Sequence, residues 1–121
     1  MKKTVIIGAS DNPSRYAQIA LGMLKDYQQP VVPMGIHGGE FQGEPILDLK
    51  ARPRVEDVDT VTLYLAPRNQ KEWYDYILSL EPKRIIFNPG TENEELMQKA
   101  EEKGIETVIG CTLVMLRTGQ Y

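Results

Sequence analysis

Five short runs of β-branched and aliphatic residues, spaced by amphipathic stretches, constrain this chain more than any other feature. They are Val5-Ile6-Ile7, Val31-Val32, Val61 to Leu65, Ile85-Ile86-Phe87 and Ile105 to Ile109. Each is too short for a helix and continuous enough to be buried on both faces, as strands of a parallel sheet are. The stretches between them carry helical periodicity. Ala17, Ala20, Leu21 and Leu24 recur at i, i+3, i+4 and i+7, and Trp73, Tyr76, Ile77 and Leu80 repeat the pattern. Strand and helix alternating in this way predict an α/β domain: a doubly wound, three-layer, Rossmann-like parallel sheet of five strands in the order 3-2-1-4-5. With 121 residues, 1–121 form one domain.

Punctuation residues set the boundaries. Asn12 with Pro13 predicts the cap and first position of the first helix. Asn69 and Glu72 have the spacing of a capping pair, and Thr91-Glu92-Asn93-Glu94 reads as a capping box for a helix that Gly104 ends. Residues Met34 to Val55 are irregular, with turns at His37-Gly38-Gly39 and Gly43, and Pro45 to Leu49 make at most a short helix or turn. This crossover is abbreviated. The residues after Gly110 pack as a last helical turn.

Composition narrows the function. A net charge of −3 argues against a general nucleic-acid binder, which needs a basic face. No apolar run approaches the ~20 residues of a membrane span, and the run after Met1-Lys2-Lys3 is too short for a signal peptide. One cysteine, Cys111, suits a reducing cytoplasm. The expected setting is cytoplasmic, with a small-molecule nucleotide as partner and neither nucleic acid nor membrane.

In a doubly wound sheet ligands bind outside the carboxyl ends of the strands, where the strand order reverses. Four segments are predicted to converge there: Gly8-Ala9-Ser10, Pro33-Met34-Gly35, Ala66-Pro67-Arg68 and Asn88-Pro89-Gly90. Gly8 to Asn12 follows a strand and opens a helix, and a helix start offers unpaired N–H groups and partial positive charge to a phosphate. Ser10 adds a hydroxyl, and Arg15 a guanidinium suited to bidentate phosphate contact. A dinucleotide fingerprint is not met, because Ser10 and Pro13 stand at its second and third glycine positions. No carboxylate follows the second strand until Glu40. A phosphate-binding Walker loop is absent.

The residues that fail for NAD resemble another family. Gly8-Ala9-Ser10 after the first strand and Val31-Val32-Pro33 at the second resemble the small stand-alone CoA-binding proteins. So do Phe41-Gln42-Gly43, the Val58-Asp59-Thr60-Val61 strand entry, Asn93-Glu94-Glu95 and Cys111. These are Rossmann-type domains related to the CoA-binding domain of the succinyl-CoA synthetase α subunit. The resemblance implies that the Gly8-Ala9-Ser10 turn and Arg15 hold the pyrophosphate of coenzyme A or an acyl-CoA. It further implies that Pro33 and Met34 line the adenine side, with Leu65, Ala66, Pro67 and Arg68 opposite. His37 is either a contact to the 3′-phosphate or an exposed loop residue.

No carboxylate pair, triad or metal-ligand cluster has spacing that demands catalysis, so the expectation is a non-catalytic binding module with no metal. Cys111 reads as a packed thiol. An NAD(P)-binding redox protein and a ligand-free scaffold acting through protein contacts are the alternatives. Trp73, Tyr74 and Tyr76 read as core plus rim, and any that are exposed would mark a homodimer face.

Overall fold

The computed structural model describes residues 1–9 and 15–121, with the backbone alone for Phe41. Its centre is a six-stranded sheet, parallel throughout. Strands β1 (Thr4–Ile7), β2 (Val31–Gly35), β5 (Leu47–Asp48), β6 (Thr60–Leu63), β7 (Arg84–Phe87) and β8 (Glu106–Ile109) lie in the order β5-β2-β1-β6-β7-β8. Strands β3 (Glu40–Phe41) and β4 (Glu44–Pro45) form a separate antiparallel hairpin. Helix α1 (Tyr16–Asp26) joins β1 to β2, α2 (Tyr74–Ser79) precedes β7, α3 (Glu94–Glu102) precedes β8, and α4 (Thr112–Arg117) follows it.

The predicted class holds, and the count and order are corrected. The place beside β2 expected for the third long strand is taken by Leu47–Asp48, which pairs with Met34 and Gly35. Two residues complete that edge, so the chain needs no long strand there. It returns to the amino end of the sheet, where the N–H groups of Asp59 and Thr60 donate to Lys3 O at 2.9 and 3.1 Å. That contact starts β6 beside β1, with Thr60 opposite Thr4. The crossover carries only a 3-10 turn at Leu49–Ala51, capped by the Asp48 carboxylate accepting from Lys50 N at 2.9 Å. Strand β1 is central, as predicted.

Three caps differ from the reading. Helix α1 starts at Tyr16 with Arg15 at its N-cap position and no side-chain cap bond. The predicted cap at Asn12 and Pro13 lies outside the described residues. Asn69 sits inside a 3-10 turn begun by Pro67, its N–H donating to Ala66 O, so it opens no helix. A second 3-10 turn, Lys71–Trp73, precedes α2. Asn93, not Thr91, caps α3, its side-chain oxygen accepting from Leu96 N at 3.3 Å. Thr91 instead turns inward and donates from its hydroxyl to Asn88 O at 2.8 Å. Trp73, Tyr74 and Tyr76 are all buried, so none of them marks a dimer face.

Helices α2 and α3 cover one face of the sheet. There Val5, Ile7, Val61, Leu63, Ile85 and Phe87 meet Trp73, Tyr76, Ile77, Leu96 and Ala100 in the main core. Helices α1 and α4 cover the other face, with a smaller cluster of Ile6, Ala17, Leu21, Leu24, Ile46 and Leu116.

Candidate functional site: the crevice at the carboxyl edge

The loops after β1, β2, β6, β7 and β8 leave the sheet at its carboxyl edge, and the first three are locked together. Gly8 has φ +105°, and a Cβ there would stand 3.0 Å from the backbone carbonyl of Tyr64. A Cβ on Gly35 would stand 2.1 Å from Ala9 O, so β2 can end this close to the turn only as glycine. The N–H groups of Gly8 and Ala9 both donate to Met34 O, at 2.9 and 2.8 Å.

This corrects the predicted phosphate cradle. The amides of Gly8 and Ala9 already have an acceptor, and Ala9 is buried. What remains for an anion among the described residues is the start of α1, a helix N-terminus with its partial positive charge. Arg15 stands at that start with its side chain exposed. Ser10 and Asn12 lie outside the described residues.

Pro33, Met34 and Gly35 are buried and line nothing. Met34 belongs to the main core, where its sulfur accepts from the Tyr76 hydroxyl at 3.3 Å. A parallel strand with both faces covered buries both alternating sets of its residues, so the exposed wall begins one residue later. Ile36 and His37 are the exposed residues at that point. On the opposite wall Leu65 and Ala66 are half-buried, while Pro67 and Arg68 are exposed on the 3-10 turn.

Asn88, expected at the ligand, is a buried brace. Its Nδ2 donates to Thr62 Oγ1 at 2.6 Å and to Leu63 O at 2.9 Å, and its Oδ1 accepts from Thr112 N at 2.9 Å. All three bonds are inward, tying β6, β7 and α4, so only Pro89 and Gly90 of that segment face solvent. Sequence reading missed a second brace, Gln70. Its Nε2 donates to Leu65 O and Thr91 O at 2.8 and 2.9 Å, and its Oε1 accepts from Asn93 Nδ2 at 2.9 Å. The Gln70 side chain thereby ties the loop after β6 to the loop after β7. Its signal was slight: a single polar residue between two turn-forming segments.

Cys111 is half-buried at the N-cap position of α4. Beside it, burial pushes the Tyr64 phenol well above its usual range, with Thr112 and Thr62 pulling the other way and the thiol adding to the rise. Tyr64 is therefore a neutral hydroxyl at the back of this edge. Among the described residues no group of three or more His, Cys, Asp or Glu is placed to hold a metal.

A cleft of about 1260 Å³ lies at the opposite, amino edge, lined by Lys3, Arg52, Asp59, Asp75, Leu80 and Lys83 among others. It mixes cations and anions and lies away from the strand carboxyl ends and the helix start. The carboxyl edge has the order reversal, the N-terminus of α1 and Arg15.

No curated protein matches the chain. Among solved structures it is similar over its whole length to an uncharacterized protein, with 55% identity, TM-score 0.96 and 98% of that chain covered. It is also similar to a conserved hypothetical protein from Pyrococcus furiosus at 27% identity and TM-score 0.77, covering 89% of this chain and 92% of that one. At the level of fold, 90% of this chain matches 25% of a dinucleotide forming acetyl-coenzyme A synthetase from Ca. Korarchaeum cryptofilum, at 21% identity and TM-score 0.70. The CoA binding domain model matches residues 2–117. A parallel sheet with its order reversing beside β1, an abbreviated second crossover and this family match lead to one conclusion: the chain is a member of the CoA-binding domain family.

Proposed function

We propose that this protein binds coenzyme A or an acyl-CoA at the carboxyl edge of its sheet and carries out no chemistry on it. The family match over residues 2–117 carries the reading. The start of α1 supports it, because a helix N-terminus and the exposed Arg15 guanidinium stand together beside the order reversal. The diphosphate sits against Arg15 and the first turn of α1 rather than against Gly8 and Ala9. Ile36 and His37 form the adenine side, and Leu65, Ala66, Pro67 and Arg68 form the other wall. The buried Asn88 and Gln70 spend their bonds on the loops themselves and so hold the walls of the site in place.

Thermal denaturation in the presence of CoA, acetyl-CoA, NAD, NADP and ATP tests the reading. A ligand at about 100 times its Kd adds ~2.7 kcal/mol, which raises the melting temperature of a domain this size by several degrees. CoA and acetyl-CoA are expected to do so and NAD is not. Arg15→Ala is expected to weaken CoA binding about tenfold, the worth of one charge-assisted contact. An unaltered CoA shift in that variant would move the diphosphate elsewhere.

A further inference from the structure

The two edges of the sheet end differently. At one edge β5 is a strand of two residues. At the other, β8 runs for four, and among the described residues no strand lies beyond it. The N–H groups of Glu106 and Gly110 donate inward, to Lys83 O and Phe87 O at 3.0 and 3.2 Å. Alternation along the strand therefore turns the N–H and C=O groups of Thr107 and Ile109 away from β7. Ile109 is 61% exposed. Neither proline nor lysine, the residues that commonly keep an edge from pairing, stands in the strand.

The side chains beside this edge identify what pairs with it. On the α3 side the Thr107 hydroxyl donates to Glu101 Oε2 at 2.7 Å, which fixes the flank of α3 that borders β8. Glu94 stands about two turns before Glu101 and falls on the same flank. Both are exposed, and neither belongs to a salt bridge among the described residues. Lys99 and Lys103 lie on the opposite flank of the helix, where Lys103 lines a cleft with Asp75 and Glu81. On the α4 side Val108 and Met115 are half-buried neighbours, since a Cβ on Gly110 would stand 3.6 Å from one and 3.7 Å from the other. The edge thus offers open main-chain groups between carboxylates on one face and aliphatic side chains on the other. A second copy paired here across a two-fold axis would set Glu101 against Glu94 of the partner subunit, like charge on like. We propose that β8 instead receives an extended, basic segment of another protein as an added strand. The residues of that segment facing α3 are lysine or arginine, their stems on Ile109 and their charges at Glu94 and Glu101. The alternate residues are aliphatic and meet Val108 and Met115.

The test uses ligand-free protein, so it is independent of the coenzyme reading. The probe is a capped synthetic peptide of about ten residues alternating lysine and valine, long enough to pair with the whole of β8. Titration followed by amide NMR is expected to shift Thr107 to Gly110 first. With peptide bound, hydrogen exchange at the Thr107 and Ile109 amides is expected to slow about tenfold or more. Ile109→Pro removes an outward N–H and no bond to β7, so it is expected to keep the unfolding midpoint near that of the wild type and to abolish the response. Glu101→Lys is expected to weaken binding about tenfold, and added salt to weaken it as well. A peptide with glutamate in place of lysine is expected not to bind. No binding of the basic peptide, equal binding of the acidic one, a response centred elsewhere, or binding indifferent to Ile109→Pro and Glu101→Lys would overturn the proposal. Protection of Thr107 and Ile109 that rises with protein concentration alone would overturn it too, by giving the edge to a second copy.

Discussion

The two faces of one strand hold this molecule together in different ways. On the α2–α3 side β6 presents Val61 and Leu63, with Leu65 following, and the core they enter is apolar from Val5 to Phe87. On the α1–α4 side the same strand presents Thr60 and Thr62, with Tyr64 following. These meet hydroxyls, an amide and a guanidinium: Thr62 with Thr112 at 2.8 Å and with Asn88, and Thr60 accepting from Arg84 Nε at 2.7 Å. The Tyr121 ring lies over the Arg84 guanidinium at 4.4 Å and reaches Thr4 with its hydroxyl. Among the described residues, the buried side-chain polar atoms without a partner all belong to this side: the Gln18 carboxamide, the Tyr64 hydroxyl and Arg84 Nη2. One face is stabilised by area removed from water, which tolerates small shifts. The other depends on directional bonds that fix where α4 sits, and α4 begins at the carboxyl edge of the sheet.

The largest effect expected from breaking this contrast is at the centre of the apolar face. Phe87→Ala removes a fully buried ring and is expected to cost about 3–5 kcal/mol, read as a lower urea midpoint. Next comes a pair of isosteric exchanges at adjacent residues of β6. Val61→Thr puts a hydroxyl among side chains that offer it no partner and is expected to cost about 1–3 kcal/mol. Thr62→Val strips a hydroxyl from two buried partners and is expected to cost about 1–3 kcal/mol as well, through the Asn88 and Thr112 groups it leaves unpaired. The two differ in where the loss is felt. Only Thr62→Val should speed hydrogen exchange in α4 well beyond the change in global stability. Equal effects on α4 from both variants would remove the distinction between the faces.

The smallest effect is alkaline. Burial raises the Tyr64 phenol above its ordinary value and pushes Tyr76 up to about 12. A tyrosine whose pKa is higher folded than unfolded favours the native state fully below the unfolded value of about 10. That contribution fades as pH rises from there through the folded value, because the unfolded chain ionises first. Melting temperature is therefore expected to be insensitive to these phenols at neutral pH and to fall above about pH 10. Tyr64→Phe is expected to make that fall shallower while changing neutral stability by no more than about 1 kcal/mol.

Much of the fold was legible because burial on both faces writes continuous β-branched runs, and these placed β1, β6, β7 and β8 within a residue or two. The edge strand Leu47–Asp48 was not legible. Two residues leave no periodicity, and they form a strand only because β2 offers them a parallel partner. Missing them put the third long strand on the wrong side of the sheet. In the crevice, topology correctly indicated the loops that meet but not which atoms they offer. Type and position made Asn88, Gly8 and Met34 look like ligand contacts, whereas each is spent on joining the loops. Whether a polar group turns toward the ligand or toward a neighbouring loop depends on contacts distant in sequence, as Gln70 with Thr91 and Asn93 illustrates.

The central claim is that the start of α1, with Arg15, receives the diphosphate of coenzyme A. Isothermal titration of CoA into the wild type and into Arg15→Ala tests it most directly. The account predicts one site per chain, weakened about tenfold by the substitution, and no heat of binding with NAD. Equal affinity in the two proteins, or binding of NAD in place of CoA, would contradict it.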